Sequence, residues 1–227
     1  MITSGLEKIL IIAPHADDEV LGCGGLIEKA CRYNNQVKVV VLSVGDIVFP
    51  HSNEKVLGTT RIKELEEALE VLGCSDFEVM YQDKDSLLDT IPKAEIIAKL
   101  DKILNDFIPT MVFIPLPSYH QDHVVLFETC FAALRPKPNR FIKLIAMYEY
   151  PLISWQYQKF WNTGELYLDL SNTIQKKVES YLKHKSQIRP HNHLISPESV
   201  IKWAEMRGLE TGLAYAEKYY ILRSHLL

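Results

Sequence analysis

The chain has 227 residues, 47% of them apolar, and a formal net charge of −4, which is material for one well-buried core of ordinary domain size. The pI near 6.1 leaves no basic face for a polyanion, so nucleic acid is not an expected partner. No segment supplies the roughly 18 uninterrupted apolar residues of a membrane span, and Cys23, Cys31, Cys74 and Cys130 form no CxxC pair, so a cytoplasmic protein with reduced thiols is expected.

The first apolar run, Ile9 to Ala13, is too short for a signal segment and predicts a buried strand. Val37 to Val44, Phe77 to Tyr81 and Met111 to Ile114 predict three more strands. Between them, Gly24 to Tyr33, Lys55 to Leu72 and Pro92 to Phe107 carry apolar positions at helical spacing, with Pro92 where a first-turn proline is tolerated. This alternation predicts βαβ units and a mostly parallel sheet with helices on both faces.

Past Leu134, Arg135-Pro136-Lys137-Pro138-Asn139 is a turn cluster. Lys143 to Tyr148 and Leu166 to Leu170 then read as strands, and Asn172 to Ser186 and Pro197 to Arg207 as helices. No composition break, repeat or Gly/Ser linker interrupts the chain, so one Rossmann-like α/β domain over residues 1–227 is expected.

Two polar clusters follow buried strands. His15-Ala16-Asp17-Asp18-Glu19 comes after the first, and Ser118-Tyr119-His120-Gln121-Asp122-His123 after the fourth. In an open α/β sheet both reach the edge where ligands bind. Two imidazoles and one carboxylate, with a water in the open position, make a catalytic zinc site, and His15, Asp18 and His123 can supply that set. Asp17, next to a ligand, is placed to act as general base. His120 suits oxyanion stabilisation and proton donation, with Asp122 two residues on as the carboxylate that orients and charges it.

The plainer alternative is a helix N-cap with acidic first-turn residues. A hard cation is a further alternative, which two histidines disfavour. Gly22-Cys23-Gly24-Gly25 lacks the third glycine of a dinucleotide fingerprint, Ile27 standing in its place. The stretch is therefore assigned to close packing of the first helix.

Pro14-His15-Ala16-Asp17-Asp18-Glu19 resembles the A-H-P-D-D-E motif of the PIG-L/LmbE-like de-N-acetylases, and His120-Gln121-Asp122-His123 resembles their distal H-x-D-H, 108 residues separating His15 from His123. The resemblance implies a zinc enzyme cleaving acetamido sugars such as N-acetylglucosamine conjugates, with ligand and base roles that coincide with those above. Arg61-Ile62-Lys63-Glu64-Leu65 followed by Leu72-Gly73 is similar to the family's R-x-x-E-L helix, which makes Arg61 a sugar-contacting arginine; the plain reading is a solvated helix charge.

Leu88-Asp89-Thr90-Ile91-Pro92 and the segment from Met206 to Tyr219 resemble a subgroup tied to surface-polysaccharide or modified-sugar biosynthesis. By that likeness Asp83 faces the sugar hydroxyls, and His193, in Asn192-His193-Leu194-Ile195-Ser196, enters the pocket. The arginine of the subgroup's P-H-P-R-S segment is absent, Ile195 replacing it. Glu19 is expected to support the metal loop by hydrogen bonding without ligating. His184 and His191 read as ordinary core or surface histidines, and Tyr119 and Tyr148 as pocket or packing residues.

The expected partner is a small N-acetylated sugar or sugar conjugate, and the expected cofactor one divalent ion per chain, zinc with Fe2+ or Co2+ as alternatives. A different amide as substrate, and a metal-holding module without turnover, stay open as competing functions. Aglycone and homo-oligomeric state are not encoded in these patterns.

Overall fold

The computed structural model describes residues 2–48, 54–138, 140–155 and 163–225. Asn139, the last residue of the expected turn cluster, lies outside them.

β1 (Lys8–Ala13) is buried from Ile9 onward because a central parallel strand is covered on both faces and has no solvent side to make polar. β2 (Gln36–Val44) and then β5 (Phe77–Gln82) pair parallel on one side of it. On the other side β6 (Met111–Pro115) and β7 (Leu144–Tyr148) continue the parallel sheet. Two antiparallel strands complete it, β9 (Ala216–Ser224) against β7 and β8 (Gly164–Asp169) against β9. The seven-stranded order is β5-β2-β1-β6-β7-β9-β8. Ile47–Val48 (β3) and Lys55–Val56 (β4) pair antiparallel as a separate two-stranded sheet.

Alternate residues of β1 serve opposite cores. Ile9, Ile11 and Ala13 pack with α1 (Asp18–Arg32), α2 (Gly58–Val71) and Tyr181 of α5 (Ile174–Tyr181). Leu10 and Ile12 pack with α3 (Lys93–Phe107) and α4 (Gln121–Ala133). The two apolar layers thus lie on opposite faces of one sheet, as the period of two along a strand requires. α6 (Pro197–Leu209) packs beside β9 and α5.

The glycine stretch lets α1 approach the sheet closely. A Cβ on Gly22 would sit 2.1 Å from Cδ2 of Tyr148, and one on Gly25 2.2 Å from Cδ2 of Leu170. Tyr148 is a packing residue, fully buried, its hydroxyl donating to the Ile12 carbonyl at 3.0 Å.

Several expectations need correction. α1 begins at Asp18 rather than near Gly24, since Asp18 and Glu19 occupy the first turn, where the helix dipole favours acids. α2 starts at Gly58, its expected first residues being spent on β4. The helix expected over Asn172 to Ser186 ends at Tyr181. α4 and β9 were not foreseen as elements. β9 opens on Ala216-Glu217-Lys218, whose charges hide a buried strand: Glu217 accepts from the Gly25 and Leu26 amides at 2.8 and 2.9 Å and from Lys177 Nζ at 2.8 Å. A buried carboxylate is tolerated when it is paired in this way.

Among the described residues no helix is long and apolar enough to cross a membrane. From β1 the chain runs outward to β2 and from the neighbouring β6 it runs outward to β7, in opposite directions. That switch point is where an open α/β sheet forms a crevice at its carboxyl edge.

Candidate metal centre

Both polar clusters meet at this crevice. Asp18 Oδ2 lies 3.4 Å from His15 Nδ1 and 3.4 Å from His123 Nε2. Donors about 2.0–2.1 Å from a tetrahedral ion are separated by roughly 3.3 Å, so these two spacings suit a single metal ion held by the buried set. His15, His120 and Asp122 form an overlapping group. There the 2.8 Å contact of His15 Nε2 with Asp122 Oδ2 is a hydrogen bond rather than a ligand spacing. His15 therefore offers Nδ1 to an ion while Asp122 holds its other nitrogen, a carboxylate–histidine arrangement common behind metal ligands.

This corrects the role expected for Asp122. Its carboxylate does not orient His120; Oδ2 binds His15, and Oδ1 accepts from the Leu88 amide at 3.0 Å. His120 is held instead by the Asp122 backbone, whose N–H donates to Nδ1 at 3.2 Å as His120 caps α4. A neutral ring with Nδ1 accepting carries its proton on Nε2. Burial, then the positive fields of His15 and His123, hold His120 below its ordinary range, so this imidazole is kept neutral rather than charged.

The charge pattern around it is polarised. Burial alone would lower His15, but its bonds to Asp122 and Asp18 and the nearby Asp85 raise it to about 10. Burial likewise opposes ionisation of Asp18, and His123 and His15 overcome it, holding the carboxyl far below its usual value. Asp17 differs: burial, reinforced by Asp18 and Glu19, pushes it up to about 7 against the opposing pull of His184 and Arg61.

Asp17 precedes α1, yet its side chain makes no capping bond, so the carboxylate is not consumed by the helix end as the plainer alternative required. Its backbone sits at φ 129°, ψ −29°, a conformation rare for a residue with a Cβ and costing on the order of 1–3 kcal/mol. Glu19 Oε2 holds its amide at 2.9 Å, while its carbonyl accepts from Val20 and Leu21 at 3.2 and 2.9 Å. Glu19 therefore supports the loop by hydrogen bonding, as expected.

The rim departs further from expectation. Arg61 is buried, not a solvated charge; Nη1 donates to the Gly45 carbonyl at 3.1 Å and pairs closely with Asp85 Oδ2, leaving its buried Nε without a partner among the described residues. Asp85 lies 3.9 Å from His15 Nε2. Asp83, the acid expected here, is exposed at φ 60°, and the acid at the site is the one two residues on. His193 is also exposed, its Nδ1 accepting from Ile195 N–H at 3.2 Å, and is not joined to the metal cluster.

Tyr119 is half exposed and His191 exposed. Tyr150 was not foreseen: its hydroxyl contacts His123 Nδ1 at 3.1 Å and Ser118 Oγ at 3.3 Å. A roomy groove of about 480 Å³, lined by Lys38, Glu78, Met80 and Lys99, lies at the β5 edge of the sheet. The centre is identified by its side-chain chemistry, not by concavity.

A Rossmann-like sheet carrying a histidine–aspartate–histidine donor set at its switch point defines a candidate metallohydrolase centre. The family model for GlcNAc-PI de-N-acetylase (PIG-L) matches residues 10–134, more than half of the chain and both clusters, and the protein belongs to that family. It is 29% identical over 141 residues to a probable N-acetyl-alpha-D-glucosaminyl L-malate deacetylase 2 of Bacillus anthracis, a match covering 59% of this chain and 62% of that protein. It is 27% identical over 189 residues to the uncharacterized deacetylase YaiS of Escherichia coli, covering 79% and 91% of the two chains. In fold it resembles the N,N'-diacetylchitobiose deacetylase of Pyrococcus horikoshii at a TM-score of 0.75 and 24% identity, over 95% of this chain and 84% of that one.

Proposed function

We propose that residues 1–227 act as one zinc-dependent de-N-acetylase domain that hydrolyses the acetamide of an N-acetylated amino sugar or its conjugate, releasing acetate. Asp18 equidistant from two imidazoles, with an unspent carboxylate at Asp17 beside it, carries the reading. Family membership and the deacetylase names of the relatives support the substrate class. The four free cysteines support a reducing, cytoplasmic setting.

His15, Asp18 and His123 would hold the ion. When bound, it supplies Lewis acidity for the amide carbonyl and a lower pKa for water, and its charge also draws down the carboxyl of Asp17. Asp17 takes a proton from the attacking water as its oxygen bonds to the acetamide carbon. His120 donates a hydrogen bond from Nε2–H to the developing oxyanion, and the proton that Asp17 took from the water passes to the departing nitrogen as the C–N bond breaks. Asp122 fixes the His15 ring, and Arg61 with Asp85 forms the wall toward which the sugar is oriented.

A panel of N-acetylated sugars, free, glycoside-linked and nucleotide-linked, with simple acetamides as controls, tests this by acetate and primary-amine release. Turnover on a sugar acetamide is expected. Turnover confined to non-sugar amides would overturn the substrate class, and metal binding without any turnover would overturn the enzyme reading.

A further inference from the structure

His184 lies between α5 and the short 3₁₀ turn Lys185–Gln187, more than 160 residues from the metal loop in sequence, and only 1% of it is exposed. Its Nε2 is 2.9 Å from Glu19 Oε1. The other oxygen of that fully buried carboxylate accepts the Asp17 amide at 2.9 Å. An unbroken polar chain therefore runs from His184 through Glu19 to the backbone of the proposed base, at the residue whose φ of 129° needs holding.

The surroundings fix the near end of this chain. The His184 amide donates to the Tyr181 carbonyl at 3.1 Å, and the next turn is tied to α2 by Ser186, which donates its N–H and Oγ–H to Glu64 at 2.9 and 2.5 Å. Tyr181 in turn donates its hydroxyl to the Ile195 carbonyl at 2.5 Å. The His184 ring thus projects from a segment anchored at several points, and Glu19 is the polar group it meets. Neither His184 nor Glu19 is needed as a ligand or as a proton carrier in the reaction above.

We propose that His184 is a positioning residue for the catalytic base: by donating Nε2–H to Glu19 it fixes the carboxylate that holds the Asp17 backbone in its strained conformation, and so aims the Asp17 side chain at the attacking water. The inference rests on Asp17 being the base. Its consequence is specific, because a base displaced by about 1 Å loses on the order of a hundredfold in rate while metal and substrate are still bound.

Two amide variants separate positioning from packing. His184→Gln presents a donor at the place of Nε2, whereas His184→Asn presents one only at the place of Nδ1. In the zinc-loaded protein, His184→Asn is expected to lower kcat about tenfold to a hundredfold with KM within about twofold and zinc stoichiometry unchanged, and His184→Gln to recover most of that loss. Equal kcat in wild type and His184→Asn would overturn the proposal, as would joint loss of zinc or thermal stability in both variants, which marks a structural support. Crystal structures of wild type and His184→Asn give a readout that does not depend on turnover: Asp17 should leave its positive φ in the variant alone. If no sugar acetamide is a substrate but Asp17 moves in this way, the function reading has failed and the positioning has not; an unmoved Asp17 overturns the positioning itself.

Discussion

The crevice has two sides with different construction. On the metal side three carboxylates are buried and each is bound twice over: Asp122 between His15 and Leu88, Glu19 between Asp17 and His184, Asp18 between two imidazoles. On the rim side Asp83 and His193 are exposed, and only the Arg61–Asp85 pair is fixed. Groups that must meet an ion or a reacting water tolerate little displacement, so burial and doubled hydrogen bonds suit them. A substrate-facing rim must stay accessible, and its residues are correspondingly free to differ.

If that contrast is right, damage to the metal side should be severe and selective. Asp18→Ala or His123→Ala should abolish stoichiometric zinc binding, read by metal analysis of the purified protein, because three protein ligands are the minimum for a catalytic zinc. Full occupancy in either variant would break the comparison at its base. Asp122→Asn, one layer out, should leave zinc bound but weaken its affinity about 10–100-fold in competition with a chelator, the usual scale for a partner behind a ligating histidine. Unchanged affinity would reduce Asp122 to a loop support through Leu88.

The rim should respond less. Arg61→Lys, which replaces the rigid guanidinium whose Nη1 meets both Gly45 and Asp85 with a flexible ammonium, should lower kcat/KM on the sugar about tenfold while a small activated acetamide is hydrolysed nearly as before. Equal losses on both substrates would make Arg61 part of the general architecture. His193→Ala should change kcat/KM by less than about threefold, which the same assay measures; a larger loss would bring this exposed loop into the site after all.

The smallest effect is a proton count. In the metal-free protein Asp122 and Asp18 raise His15 from its ordinary 6.5 to about 10. A group raised on folding contributes stability that is fully present below about pH 6.5 and is lost as pH climbs toward 10. Zinc requires the free base of that ring, so binding at pH 8 should release a proton, measurable by calorimetry in buffers of different ionisation enthalpy. No buffer dependence would place the metal elsewhere.

The same contrast governs what the sequence reveals. His15, Asp17, Asp18, His120 and His123 are legible because each follows a strand whose apolar run is plain, and local spacing carries them to one sheet edge. The parallel strands were legible for the same reason. Asp85 was not, because which of two acids in Asp83-Lys84-Asp85 turns inward depends on a positive φ at Asp83 and on pairing with Arg61 across the fold. His184 looks like any core histidine until the chain brings it 2.9 Å from Glu19. β9 was hidden by Glu217 and Lys218, whose burial makes sense only once Lys177 and the α1 amides are seen to meet Glu217, and Glu165 and Glu210 to meet Lys218.

The central claim is that one ion held by His15, Asp18 and His123 works with Asp17 as the base, and Asp17→Asn tests both parts at once. The protein is stripped with a chelator, reloaded with increasing zinc, and followed for bound metal and acetate release from an N-acetylated sugar. Wild-type activity should rise in proportion to occupancy and level off at one ion per chain, while Asp17→Asn should take up the same single ion and turn over at least about a hundredfold more slowly. Activity that survives chelation, or near wild-type turnover in zinc-loaded Asp17→Asn, would contradict the account.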